Sequence, residues 1–215
     1  MANETAEKPR YEFRTFGQNF GAVIQKMKSL TEPVPEKFRS RRSQEVYIIS
    51  SITSDYNVKI RDQKLDIKKL IGQRDGFEQW KPLAKAEFPL SQDFLAGELF
   101  PALQVEIPDL IELSYSLNSL LKMVQMHPEL LKVRVKKHRF GFMVNGTICE
   151  YADVLVNGAL VGTVSTESED INKLKETVRD LEMITFENIN YLRAIKRICG
   201  MDDHALANEE FPDRV

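Results

Sequence analysis

Two Asn-Gly dipeptides, Asn145-Gly146 and Asn157-Gly158, constrain this chain more than any other feature. A two-residue type I′ turn needs positive φ at both central positions, which Asn-Gly supplies with little strain. The turns join three runs, roughly 131–144, 147–156 and 159–167, into an antiparallel meander. A two-residue turn also fixes the register, so the faces follow by counting. Val144 faces Thr147, which pairs Arg139 with Ala152 and Gly141 with Glu150. Val156 faces Ala159, which pairs Ala152 with Thr163 and Glu150 with Ser165. Opposed residues share a face. One face therefore collects Lys137, Arg139, Glu150, Ala152, Thr163, Ser165 and Glu167, and the other Phe140, Phe142, Cys149, Tyr151, Leu155, Leu160 and Val164.

The rest of the chain supports an α+β class rather than a doubly wound sheet, because strands and helices come in blocks. "YEFRTF" (11–16) reads as a strand and "QNFGAVIQKMKSL" as an amphipathic helix ended by the proline-bearing "TEPVPEKF". Residues 44–51, 56–70 and 77–89 read as further strands, the second bent or turned near Asp62-Gln63. From Ser91 to about Met126 the pattern is helical, with Leu110, Leu113, Leu117, Leu120, Leu121 and Val124 on one face. Two helices follow the meander, the first capped near Ser168 or Asp170 and the last stopped by Gly200. The expected organisation is one domain over 11–200 with a helical insertion at about 91–126, between tails at 1–10 and 201–215. The leucine face of the insertion is more often core packing than interface, and a homodimer through it is the further possibility.

A net charge of −2 over 215 residues argues against a dedicated DNA-binding protein, which needs a basic excess. No apolar run has the length of a membrane helix and "MANETAEKPR" is not a signal peptide, so a cytoplasmic protein with two free thiols is expected. His127, His138 and His204 lack metal-site spacing, and Trp80 reads as a core anchor. Basic residues are nevertheless concentrated locally. "VKIRDQKLDIKKL" (58–70) puts Lys59 and Arg61 on one side of a strand, and Lys137-x-Arg139 repeats that spacing. Such a face can simply meet water. If the strands instead closed into a barrel with these residues inward, they would line a cavity suited to phosphate-like anions.

Taken in order, "YEFRTF", "VKIRDQKLDIKKL", "QWKPLAK", "VKKHRFGFMVNGTICEYADV" and "TVSTESED" resemble the CYTH superfamily, or triphosphate tunnel metalloenzymes. The resemblance implies an antiparallel β-barrel of about eight strands with helices packed outside. It also implies a triphosphate held in the tunnel by basic residues, with acidic residues holding magnesium or manganese, as in class IV adenylyl cyclases and thiamine or inorganic triphosphatases. On it, Lys59, Arg61, Lys137 and Arg139 are the phosphate-binding pairs, Lys68 a further member, and Glu150 an inward carboxylate. The departures are specific. Where the family has Glu-x-Glu-x-Lys, this chain has Glu12, Arg14 and Phe16, so Arg14 joins the candidate substrate-binding cations. Ala152 stands where an Asp is expected, and Thr163 and Ser165 where Glu-x-Glu is expected; a slip in alignment would put Glu167 and Glu169 there instead. Glu12, Glu150 and Glu167 are then the candidate metal ligands, few for a two-metal site. The expected function is binding of a triphosphate, nucleotide or other polyanion, with degenerate metal ligands and weak or no catalysis. Magnesium or manganese is the expected cofactor, if there is one. A metal-dependent triphosphatase or adenylyl cyclase-like enzyme is the alternative, and a partner-binding protein with a solvated sheet a third.

Overall fold

The computed structural model describes residues 8–206; the tails expected at the two ends fall largely outside that range. Eight strands close into a wholly antiparallel barrel. They are β1 (Arg10–Gly17), β2 (Arg41–Ser50), β3 (Tyr56–Arg61), β4 (Lys64–Arg74), β5 (Phe77–Glu87), and the meander, β8 (Leu130–Val144), β9 (Thr147–Val156) and β10 (Ala159–Ser168). Their order around the barrel is β1-β10-β9-β8-β2-β3-β4-β5, with β5 returning to β1 through Arg10–Glu12. The chain is thus α+β, as its block pattern and the resemblance imply.

The meander has the register that its turns dictate. Arg139 pairs with Ala152, Gly141 with Glu150, Ala152 with Thr163 and Glu150 with Ser165. Asn145, Gly146, Asn157 and Gly158 all take positive φ, as do Asp62 and Gln63 in the turn between β3 and β4. The polar face points into the barrel. The apolar face points out, where Cys149, Val164 and Phe142 pack with Val23 and Met27 of α1 (Gly21–Leu30) and Leu174 and Val178 of α5 (Ile171–Asp180). Asp170 caps α5 by accepting from the Asn172 and Lys173 backbone N–H groups.

The 91–126 region is less helical than its leucine pattern predicts. After the short strand β6 (Leu90–Ser91), α2 (Gln92–Phe94), a π-helical turn (Leu95–Leu99) and α3 (Phe100–Leu103) run end to end. Residues 104–113 are then irregular, and β7 (Ser114–Tyr115) pairs with β6 before α4 (Leu117–Met126). Pro108 disfavours helix for the residue before it, and Ser116 starts α4 by accepting from Ser119 N–H. Leu113, expected on the helix face, is 86% exposed, whereas Leu120 and Val124 are buried against the outside of β3 and β4.

One end of the barrel is filled. Inside it, Phe16, Tyr47, Ile49, Val133, Val135, Val154, Val156 and Val161 form one apolar cluster with Tyr191, Leu192, Ala194 and Ile195 of α6 (Tyr191–Ile198). Asn190 caps α6 and also donates to both oxygens of Glu78, which accepts from Trp80 Nε1 as well. At its other end Arg197 makes a two-pronged bond to Glu187. The tunnel is therefore blind, closed by a helix that follows the barrel in sequence.

Candidate functional site

Beyond the apolar plug the interior is charged, and exposure increases toward the open end. Side chains of Glu45, Lys137 and Arg14 are 1%, 6% and 7% exposed, against 26% for Arg139 and 27% for Arg61. All six candidate cations, Arg14, Lys59, Arg61, Lys68, Lys137 and Arg139, lie on inward positions of β1, β3, β4 and β8. Lys59 and Lys137 face the barrel axis from the two strands flanking β2. Lys68 lines the mouth with Glu12, Glu167, Arg10, Trp80 and Pro82, and no carboxylate lies within ion-pair distance of it among the described residues.

The cations do not form a bare basic wall, because a carboxylate absent from the sequence-based set stands among them. Glu45 of β2 is buried, with Lys137 Nζ at 2.9 Å, Arg61 Nη1 at 3.4 Å and Lys59 Nζ at 4.0 Å. Burial alone would raise its pKa, but these three cations hold it far below the usual carboxylate range. Burial dominates at Lys137, whose ammonium is pushed down to about 7 despite Glu45. Lys137 also donates to Tyr47 Oη at 2.8 Å. Alternation along β2, with Glu45, Tyr47 and Ile49 on one side, was the available signal for Glu45. It pointed inward only once the barrel was known to close.

The three candidate metal ligands cluster around a guanidinium. Arg14 Nε lies 2.5 Å from Glu12 Oε1, and Arg14 Nη1 lies 3.8 Å from Glu150 Oε1 and 3.4 Å from Thr163 Oγ1. Glu167 acts on Arg14 electrostatically from β10, where it pairs in register with Glu12. Burial opposes the charge on Arg14, yet the surrounding acids raise its pKa. Burial and the neighbouring Glu12 raise the pKa of Glu167. Arg139 Nη1 holds the other oxygen of Glu150 at 3.2 Å, and Arg10 holds Glu167 at 3.8 Å. Each acid thus already has a cation. Among the described residues no three Asp, Glu, His or Cys side chains come together as a metal-holding group. Hard divalent cations need several free carboxylate or carbonyl oxygens, so the residues present do not fit a two-metal site.

A small cavity of about 40 Å³, room for a few waters, lies among Arg10, Glu12, Lys68, Trp80, Pro82 and Glu167. Residues 31–40 cross the same end, where the Phe38 carbonyl sits against Gly141 in space that a Cβ would occupy. A separate groove of about 460 Å³, lined by Lys132, Arg134, Lys136, Leu155, Asn157 and Gly158, lies on the outside of β8 and β9. No helix of the described residues is long and apolar enough to cross a membrane.

No protein-family model matches this chain, and no curated protein matches it. Solved structures do. A conserved hypothetical protein from Pyrococcus furiosus is 16% identical, with a TM-score of 0.50 over 86% of this chain and 98% of that one. A putative adenylate cyclase from Bacillus halodurans is 9% identical, with a TM-score of 0.46 over 87% and 98%. The mimivirus capping enzyme triphosphatase is 13% identical, with a TM-score of 0.43 over 84% and 90%. The likeness is one of fold, and the closed eight-stranded antiparallel barrel is the architecture that the resemblance to the CYTH superfamily implies.

Proposed function

We propose that this protein is a divergent CYTH-type tunnel that binds a triphosphate or similar phosphorylated small molecule from its open end, without requiring a metal. The observation that carries the reading is the convergence of Arg14, Lys59, Arg61, Lys137 and Arg139 on the low-exposure interior of a barrel closed at one end. Low dielectric strengthens each phosphate contact, and guanidinium forks match phosphate oxygens. Glu45 is then the resident anion that stabilises the basic cluster until a ligand arrives. Arg14 sits among Glu12, Glu150 and Glu167 as a tethered cation, in the position where a metal would otherwise be needed to neutralise them.

The number of inward cations favours a ligand with several phosphoryl groups over a single phosphate, in keeping with the resemblance to triphosphate tunnels. The thinned metal ligands argue for binding with little or no turnover. Calorimetric titration with tripolyphosphate in EDTA tests the reading, alongside phosphate release with magnesium and with manganese. Binding in EDTA without turnover is the expected result. Absence of binding in EDTA refutes it. Turnover strictly dependent on metal favours the alternative, in which Glu12, Glu150 and Glu167 act as ligands after all.

A further inference from the structure

The closed end of the tunnel contains a buried hydroxyl with nothing to bond. Tyr191, the first residue of α6, is 7% exposed, and its Oη has no hydrogen-bond partner among the described residues. Its ring has four close neighbours. Tyr47 stacks on it at 5.7 Å between centroids, Phe16 meets it edge-on at 4.9 Å, Lys137 Nζ lies 3.8 Å from the ring centroid and Arg14 Cζ 4.7 Å. With Lys137 and Arg14 against its ring, Tyr191 stands where the apolar plug meets the charged groups. Burial first, and then the acids against the pull of Arg14, hold the phenol in its protonated form, so it is an O–H donor. Leaving such a donor unpaired is costly, and native proteins rarely do so without a ligand or water to receive it.

We infer that Tyr191 is a ligand-contact residue, donating from the closed end to the terminal phosphoryl group of a linear polyphosphate or phosphate ester that enters end-on. The inference rests on the anion-binding reading above and narrows its ligand class. A tunnel sealed by α6 cannot thread a chain through, so the group that reaches Tyr191, Lys137 and Arg14 must be a free end. Three donors suit a terminal group, which offers three oxygens where a bridging phosphoryl offers two.

The test compares wild type and Tyr191→Phe with linear tripolyphosphate and cyclic trimetaphosphate, by calorimetry in EDTA, with thermal unfolding of each apo protein. The expected result is about tenfold weaker tripolyphosphate binding in the variant. Trimetaphosphate, which has no terminal group, should bind both proteins alike. Apo Tm should hold or rise, since the hydroxyl removed has no partner to lose. Equal tripolyphosphate affinity in the two proteins overturns the role of Tyr191 and leaves the anion-binding reading standing. An equal penalty for both ligands overturns end-on recognition, and a fall in Tm of several degrees marks the hydroxyl as structural. A wild type that binds neither ligand overturns both proposals together.

Discussion

Arg14→Glu offers a direct test of the tethered-cation account, because it restores the acidic residue type that the resemblance leads one to expect there. In the wild type, Arg14 bonds Glu12 and Glu150 and is felt by Glu167. Removing one partner of a buried ion pair costs about 3–5 kcal/mol, and here the substitution also adds a fourth carboxylate to the group. The apo variant should therefore unfold far more readily than wild type. The shorter side chain leaves space, and the introduced carboxylate together with Glu12, Glu150 and Glu167 would supply the oxygens a hard cation needs. If manganese binds the folded form alone, a concentration of 100 Kd adds about 2.7 kcal/mol. At roughly 2–4 °C per kcal/mol for a chain of this size, that is a rise of about 5–10 °C in Tm. Thermal unfolding with manganese and with EDTA measures it, with Arg14→Ala as the milder companion. Wild type should respond little. A wild type stabilised by manganese as strongly as the variant, or a folded variant with no response, would refute the reasoning.

Between pH 7 and 9 the protein should become more stable. Lys137 loses its proton near 7 when folded but near 10.5 when unfolded, so the unfolded state binds more protons across this window. Stability from urea unfolding should climb by up to about 1.4 kcal/mol per pH unit, and a fall over the window contradicts the assignment. Gly141→Ala drives a Cβ into the Phe38 carbonyl oxygen, so residues 31–40 must lift from the mouth. Overpacking of this kind costs about 1–3 kcal/mol, and protease cleavage within 31–40 should become faster than in wild type. Asn190→Ala removes the cap of α6 and both bonds to Glu78. A loss of about 2–3 kcal/mol is expected by chemical denaturation, and a neutral result would mean the plug is held by packing alone.

Much of the barrel was legible because turn chemistry and alternation are local. Asn145-Gly146 and Asn157-Gly158 set the register that carries Lys137, Arg139, Glu150 and Glu167 to one face, and the structure has that register. Glu45 was hidden for the opposite reason. Its alternation with Tyr47 and Ile49 does not say which side is inward, since both sides of β2 are apolar near Tyr47, Ile48 and Ile49, inside the barrel and under the helices. Tyr191 was hidden because amphipathicity says that a helix packs, not against which surface. The leucines at 110 and 113 misled as helix positions because helical spacing recurs by chance in a stretch that Pro108 keeps irregular.

The β1 to β10 seam governs when such a tunnel can exist at all. Tyr11 pairs with Ser168 and Gly17 with Gly162, so the barrel cannot close until nearly the whole meander has been made. On the ribosome, β1 must wait with Phe13 and Phe16 exposed while the intervening strands emerge, and α6 can seal the end only afterwards. Contacts this distant in sequence make folding slow relative to helical proteins of the same size. The Glu45 cluster on β8, β2 and β3 can form from neighbouring strands, but the Arg14 group on β1 waits for this seam, and a chain stalled before β10 has no closed barrel.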